Sequence, residues 1–108
     1  MKKENSGVPK SKYPKIKDEI MWRWDGECEE HIVFVAPKYV QGWLVLNPVA
    51  AKIFYMCDGC HTVNRMVDVL KSKYKNISGE ELRRDTLDCL RELERCGVLS
   101  DANGLARD

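Results

Sequence analysis

Cys57-Asp58-Gly59-Cys60-His61 is the run in this chain whose residue types and spacing carry the most chemistry. Two thiols and a following imidazole at this spacing match the pattern for covalent haem attachment, with a thioether bond to each sulfur and the histidine on iron. The context opposes haem, because such attachment takes place outside the cytoplasm and the amino terminus has no apolar signal core. Zinc or an iron–sulfur cluster needs four ligands, so Cys28, Cys89 or Cys96 would have to join Cys57, Cys60 and His61. Cys89 and Cys96 fall on an apolar helical stripe, where a free thiol behaves as a small apolar group. The chain is therefore assigned no metal, with Cys57, Cys60 and His61 kept as candidates. A thiol nucleophile needs a base beside it, and the other histidine, His31, sits in a strand-like run. No glycine-rich phosphate loop, paired-carboxylate site or nucleophile motif occurs. Catalysis by this chain alone is not expected, and no cofactor is assigned to it.

The elements that would position any site follow from periodicity and punctuation. Ile20, Trp22 and Trp24 alternate with Met21, Arg23 and Asp25, and Asp25-Gly26 supplies a turn. A second strand is expected over residues 31–36, closed by Pro37, and a third over residues 43–46. Tight connections between them dictate antiparallel pairing. A sheet so small must rest on helices. Asn47 caps a first helix with Pro48 at its first position, and Asp58-Gly59 is expected to stop it. Thr62 caps a second, with Val63, Met66, Val67 and Leu70 at helical spacing. Ser78 and Glu81 have the capping-box pattern for a third, which Gly97 ends. The fold class is α+β, a small winged-helix-like domain in which a three-stranded antiparallel sheet is followed by three helices. Residues 1–15 read as a flexible lysine-rich arm, residues 16–100 as the domain, and residues 101–108 as a frayed tail.

On the third helix, Leu82, Thr86, Cys89, Leu93 and Cys96 form the expected core stripe. Leu90 falls on its flank, and Leu87 lies well beyond, beside Arg83 and Glu94. Either Leu87 is one more exposed leucine, or this flank and an open sheet edge form a groove for an extended peptide. A winged-helix regulator that binds DNA, sensing metal or redox state through Cys57, Cys60 and His61, is the alternative. Charge opposes it: Arg83, Arg84, Arg91 and Arg95 are offset by Glu80, Glu81, Asp85, Asp88, Glu92 and Glu94. A formal charge of +1 over 108 residues likewise gives no general attraction for nucleic acid or an anionic membrane. No apolar run approaches a membrane span. A cytoplasmic location, with its five cysteines mainly reduced, is the expectation.

The order of a tryptophan-rich strand, a strand ending at a proline, Leu46-Asn47-Pro48-Val49-Ala50-Ala51, Asp58-Gly59 before Thr62-Val63, and Asp85 through Gly97-Val98-Leu99 resembles the PqqD family. It is also similar, more broadly, to the recognition domains that serve ribosomally made, post-translationally modified peptides. The resemblance spans roughly residues 15–99. It implies a non-catalytic peptide chaperone that binds the leader of a precursor peptide as an added strand and presents it to a modifying enzyme, in the PqqD branch a radical SAM enzyme. Carried over by position, it implies that Trp43, Leu44, Val45 and Leu46 pair with the peptide and that Arg83, Leu87, Leu90, Arg91 and Glu94 contact it from the third helix. An open sheet edge also allows self-pairing, so a monomer or weak homodimer is expected. Cys57 and Cys60 and the lysine-rich arm are not features that the family pattern requires.

Overall fold

The computed structural model describes residues 13–27 and 30–99. The greater part of the lysine-rich arm, Cys28 and the tail lie outside the described residues. Three strands, β1 (Met21–Asp25), β2 (Ile32–Ala36) and β3 (Leu44–Leu46), precede three helices, α1 (Pro48–Tyr55), α2 (Val63–Lys73) and α3 (Gly79–Arg95). The strands form one antiparallel sheet in the order β1-β2-β3, the small winged-helix-like α+β architecture that the punctuation predicts.

Registers Trp22↔Val35, Trp24↔Val33, Val33↔Leu46 and Val35↔Leu44 put these six side chains on the face toward the helices. There Val33, Val35 and Leu46 meet Ile53 and Phe54 of α1, Met66, Val67 and Leu70 of α2, and Leu82, Leu90 and Leu93 of α3 in one buried cluster. Thr86 is the polar member of this interior. Its hydroxyl donates to the Leu82 carbonyl at 2.7 Å, so no buried polar atom is left over there.

Each helix begins where its cap dictates. Asn47 Oδ1 accepts from the Ala50 N–H at 2.9 Å, Thr62 Oγ1 from Arg65 at 3.1 Å and Ser78 Oγ from Glu81 at 3.1 Å. The ends are less regular. α1 stops at Tyr55, about a turn before Asp58-Gly59, because the Met56 and Cys57 N–H groups turn back to the Ile53 and Phe54 carbonyls at 3.0 Å each. Asp58 then forms its own turn, its Oδ1 accepting from the Cys60 N–H at 2.8 Å. α3 closes with Gly97 at φ 81°: the Val98 N–H donates to Leu93 and the Gly97 N–H to Glu94, at 2.8 and 3.1 Å. These two bonds define a Schellman motif.

Pro14 and Lys15, expected in the arm, pack onto the domain together with Ile16 and Lys17. Pro14 is buried, Lys15 bridges Asp58, and Ile16 bridges Leu99. Ile16 N–H donates to the Cys57 carbonyl, Lys17 N–H to Val98, and Gly59 N–H to Pro14, each at 2.9 Å. This segment ties the α1–α2 turn to the chain leaving α3. Periodicity does not reveal it, because four residues held by backbone bonds have no period to read.

Candidate functional site

β3 is three residues long and paired on one side only, by β2. Its other edge has no strand beside it among the described residues, leaving backbone donors and acceptors for a partner strand. Leu46 is buried and Leu44 half-buried toward the helices. Trp43 and Val45, half or more exposed, face the other way. Asn47 and Pro48 launch α1 directly from the end of this strand. The loop before it is pinned to α3, since the Lys38 and Tyr39 N–H groups both donate to the Cys96 carbonyl, at 3.0 and 3.1 Å. Both ends of the open edge are thereby fixed to the helical layer.

α3 presents its flank differently from the helical-wheel expectation. Its buried stripe runs Leu82, Thr86, Leu90 and Leu93, while Cys89, assigned to the core, is only half-buried. Leu90 has 0% exposure, so it is a core residue and is removed from the contact set. The cause is the packing of α1 and α2 against α3, which sets how the helix is turned; Arg83 Nη2 donates to Asn64 Oδ1 at 2.6 Å from one helix to the other. Leu87 and Glu94 remain half-buried and Arg83 and Arg91 exposed. Two guanidinium groups on α3 are already engaged along the helix: Arg91 with Asp88 at 3.4 Å and Arg95 with Glu92 at 2.6 Å. Glu92, with Arg95 donating to it, is held below the usual carboxylate range. Such internal pairing leaves little of α3 to offer a phosphate backbone.

The cysteine motif is split by the fold. Cys57 is buried, its thiol donating to the Ile53 carbonyl at 3.2 Å, whereas Cys60 is exposed. His61 Nδ1 lies 3.0 Å from Asp58 Oδ1 in the turn, and that contact lowers the Asp58 pKa. No group of three or more His, Cys, Asp or Glu side chains among the described residues is placed to hold a metal ion. Burial pushes the Cys57 thiol far up, with Cys89 nearby adding to the effect, and pushes Cys89 up to about 12. In a Cys28→Ser background, iodoacetamide at pH 8 is expected to modify Cys60 first and Cys57 and Cys89 only on unfolding. Peptide mass mapping over time checks this; equal rates at Cys57 and Cys60 would place both thiols at the surface.

The sequence reading did not single out a second open edge. β1 is exposed along its whole length and, among the described residues, paired only with β2. Trp22 lies edge-on to Phe54 with ring centres 5.2 Å apart, Trp24 sits 5.1 Å from His31, and His31 Nε2 shares a 2.6 Å hydrogen bond with the Tyr55 hydroxyl. The alternation of tryptophans in residues 20–25 was the available signal. These rings cover the end of α1.

Residues 30–99, the span holding β2, β3 and all three helices, match the family model described as Coenzyme PQQ synthesis protein D (PqqD). The chain belongs to the PqqD family. A protein of Rhodopseudomonas palustris (strain BisB5) named "PqqA binding protein" is 28% identical over 102 residues, covering 94% of this chain and 95% of that one. A second protein of that name, from Methylococcus capsulatus, is 31% identical over 55 residues, 51% of this chain and 55% of its own. No solved structure matches the chain at a significant level. The PqqD match includes the open edge of β3 and the flank of α3, while β1 precedes it. No helix among the described residues is long and apolar enough to cross a membrane.

Proposed function

We propose that this PqqD-family chain is a non-catalytic carrier that binds the leader segment of a ribosomally made precursor peptide along the open edge of β3 and presents it to a modifying enzyme, a radical SAM protein. The open edge of β3, fixed at both ends to the helical layer, is the observation that carries this reading. The relatives named for binding PqqA support a precursor peptide as the ligand class.

In this reading the backbone groups of Trp43, Leu44, Val45 and Leu46 pair with the leader, supplying affinity that tolerates many sequences. Alternate leader side chains then fall on the helix side, toward Leu87, Arg91 and Glu94, where apolar contact with Leu87 adds selectivity; Arg83, bonded to Asn64 of α2, would have to leave that bond to join them. The carrier contributes no reacting group; its part is to hold the leader extended, so that less ordering remains when the enzyme engages. The cytoplasm is the proposed compartment.

The test is an NMR titration of the ¹⁵N-labelled chain with synthetic leader peptides of small open reading frames encoded beside it. Amide shifts are expected in residues 43–46 and on the Arg83 to Glu94 flank. Shifts confined to residues 21–25 would move the site to the β1 edge and overturn this assignment. Leu87→Glu is expected to keep the fold, costing about 1 kcal/mol of stability, while weakening the leader at least about tenfold. Unchanged affinity would remove α3 from the site.

A further inference from the structure

The face of the sheet turned away from the helices carries a feature that pairing along β3 does not use. Registers Arg23↔Phe34 and Phe34↔Val45 line these three residues across β1, β2 and β3 on that face. Trp43 joins them by alternation with Leu44. The Arg23 side chain lies down across the rung, its guanidinium carbon 4.4 Å from the centre of the Phe34 ring and 5.7 Å from that of Trp43. No carboxylate among the described residues pairs with it, and around it the face is apolar, with Met21, Ile32, Val45 and Trp43 all exposed.

A guanidinium seated over aromatic rings still offers its forked donors to an anion. That fork fits a carboxylate in bidentate fashion. An added strand on β3 would lie three strand spacings, about 14 Å, from β1. An extended arginine and an extended glutamate meet across that distance, whereas an aspartate falls short.

We propose that Arg23, seated over Phe34 and near Trp43, receives a glutamate side chain of the peptide that adds to β3, level with Val45 on the same rung, while an apolar peptide residue two positions away covers Trp43. The inference rests on the strand-addition reading. It assigns the outer face of the sheet a part in selecting and registering the leader. The ligand class becomes an extended segment whose outward-facing positions combine one glutamate and one apolar residue. The partner is thereby defined on both faces of the sheet.

Selection of random twelve-residue peptides displayed on phage against the immobilised full chain tests this without knowledge of the natural precursor. Wild-type protein is expected to enrich peptides with glutamate two positions from an apolar residue. Arg23→Gln, a change at an exposed position, is expected to enrich the apolar residue without the glutamate. Resynthesised with Glu→Gln, a selected peptide should bind wild-type protein about fivefold more weakly and the Arg23→Gln variant with unchanged affinity. Binders that shift the β3 amides in NMR spectra yet show no glutamate preference, or the same preference on Arg23→Gln, overturn the Arg23 site and leave strand addition standing. No binder reaching β3 overturns both.

Discussion

Leu90→Glu is expected to unfold the domain. The side chain has 0% exposure and sits among Leu82, Thr86 and Leu93 on the stripe that α3 turns toward α1 and α2. A carboxylate there would lose its water with no cation to meet it, a cost of about 4 kcal/mol or more against a total stability of roughly 5–15 kcal/mol. Burial raises the pKa of such an introduced acid, so the penalty is largest at neutral pH. It shrinks as the pH falls through the raised value, where the group folds in as the neutral acid. Urea unfolding followed by circular dichroism at pH 7 and pH 5 reads both effects. A midpoint equal to that of Leu87→Glu would mean that the two leucines share one environment.

Gly97→Ala carries the second large effect, and it acts on fold and site together. The residue has φ 81°, a left-handed conformation that costs any other residue about 1 kcal/mol or more. An added Cβ would also stand 2.7 Å from Tyr39 Cδ2 and 2.9 Å from Lys38 Cβ. The Tyr39 ring is exposed and can swing aside, but Lys38 Cβ is held by a backbone that donates to Cys96. A total loss of about 2 kcal/mol is expected, lowering the melting temperature by about 10 °C in a domain of this size. The loop that must yield leads into β3, so leader affinity is expected to fall as well. Differential scanning calorimetry and the peptide titration check the two halves. An unchanged melting temperature would show that the loop moves freely from α3.

How far the sequence could be read depended on whether the cause of each feature was local. Asn47, Thr62 and Ser78 bond to N–H groups three residues on, so helix starts were legible from adjacent residues. Gly97 was legible as a stop for the same reason. The end of α1 was not, because Asp58-Gly59 serves a separate turn that also receives Pro14 from far along the chain. On α3 the wheel fixed the period correctly and the axis of the stripe wrongly, exchanging Cys89 for Leu90. Which way a helix is turned depends on its neighbours, and the Arg83–Asn64 contact joins residues from different helices. An open sheet edge followed from strand count, and the resemblance to the PqqD family pointed to the edge of β3. The aromatic cover on α1 and the stacking of Arg23 required the register between strands, which side-chain alternation alone does not supply.

The pairing of Ile16 with Leu99 bears on how this domain can be carried by other chains. Because the two ends of the packed fold lie side by side, sequences grafted to either one depart from the same place on the surface. Order of fusion is then immaterial to the geometry, and a short linker joining the two ends would permit a circularly permuted version with new termini in the exposed Tyr39–Gly42 loop.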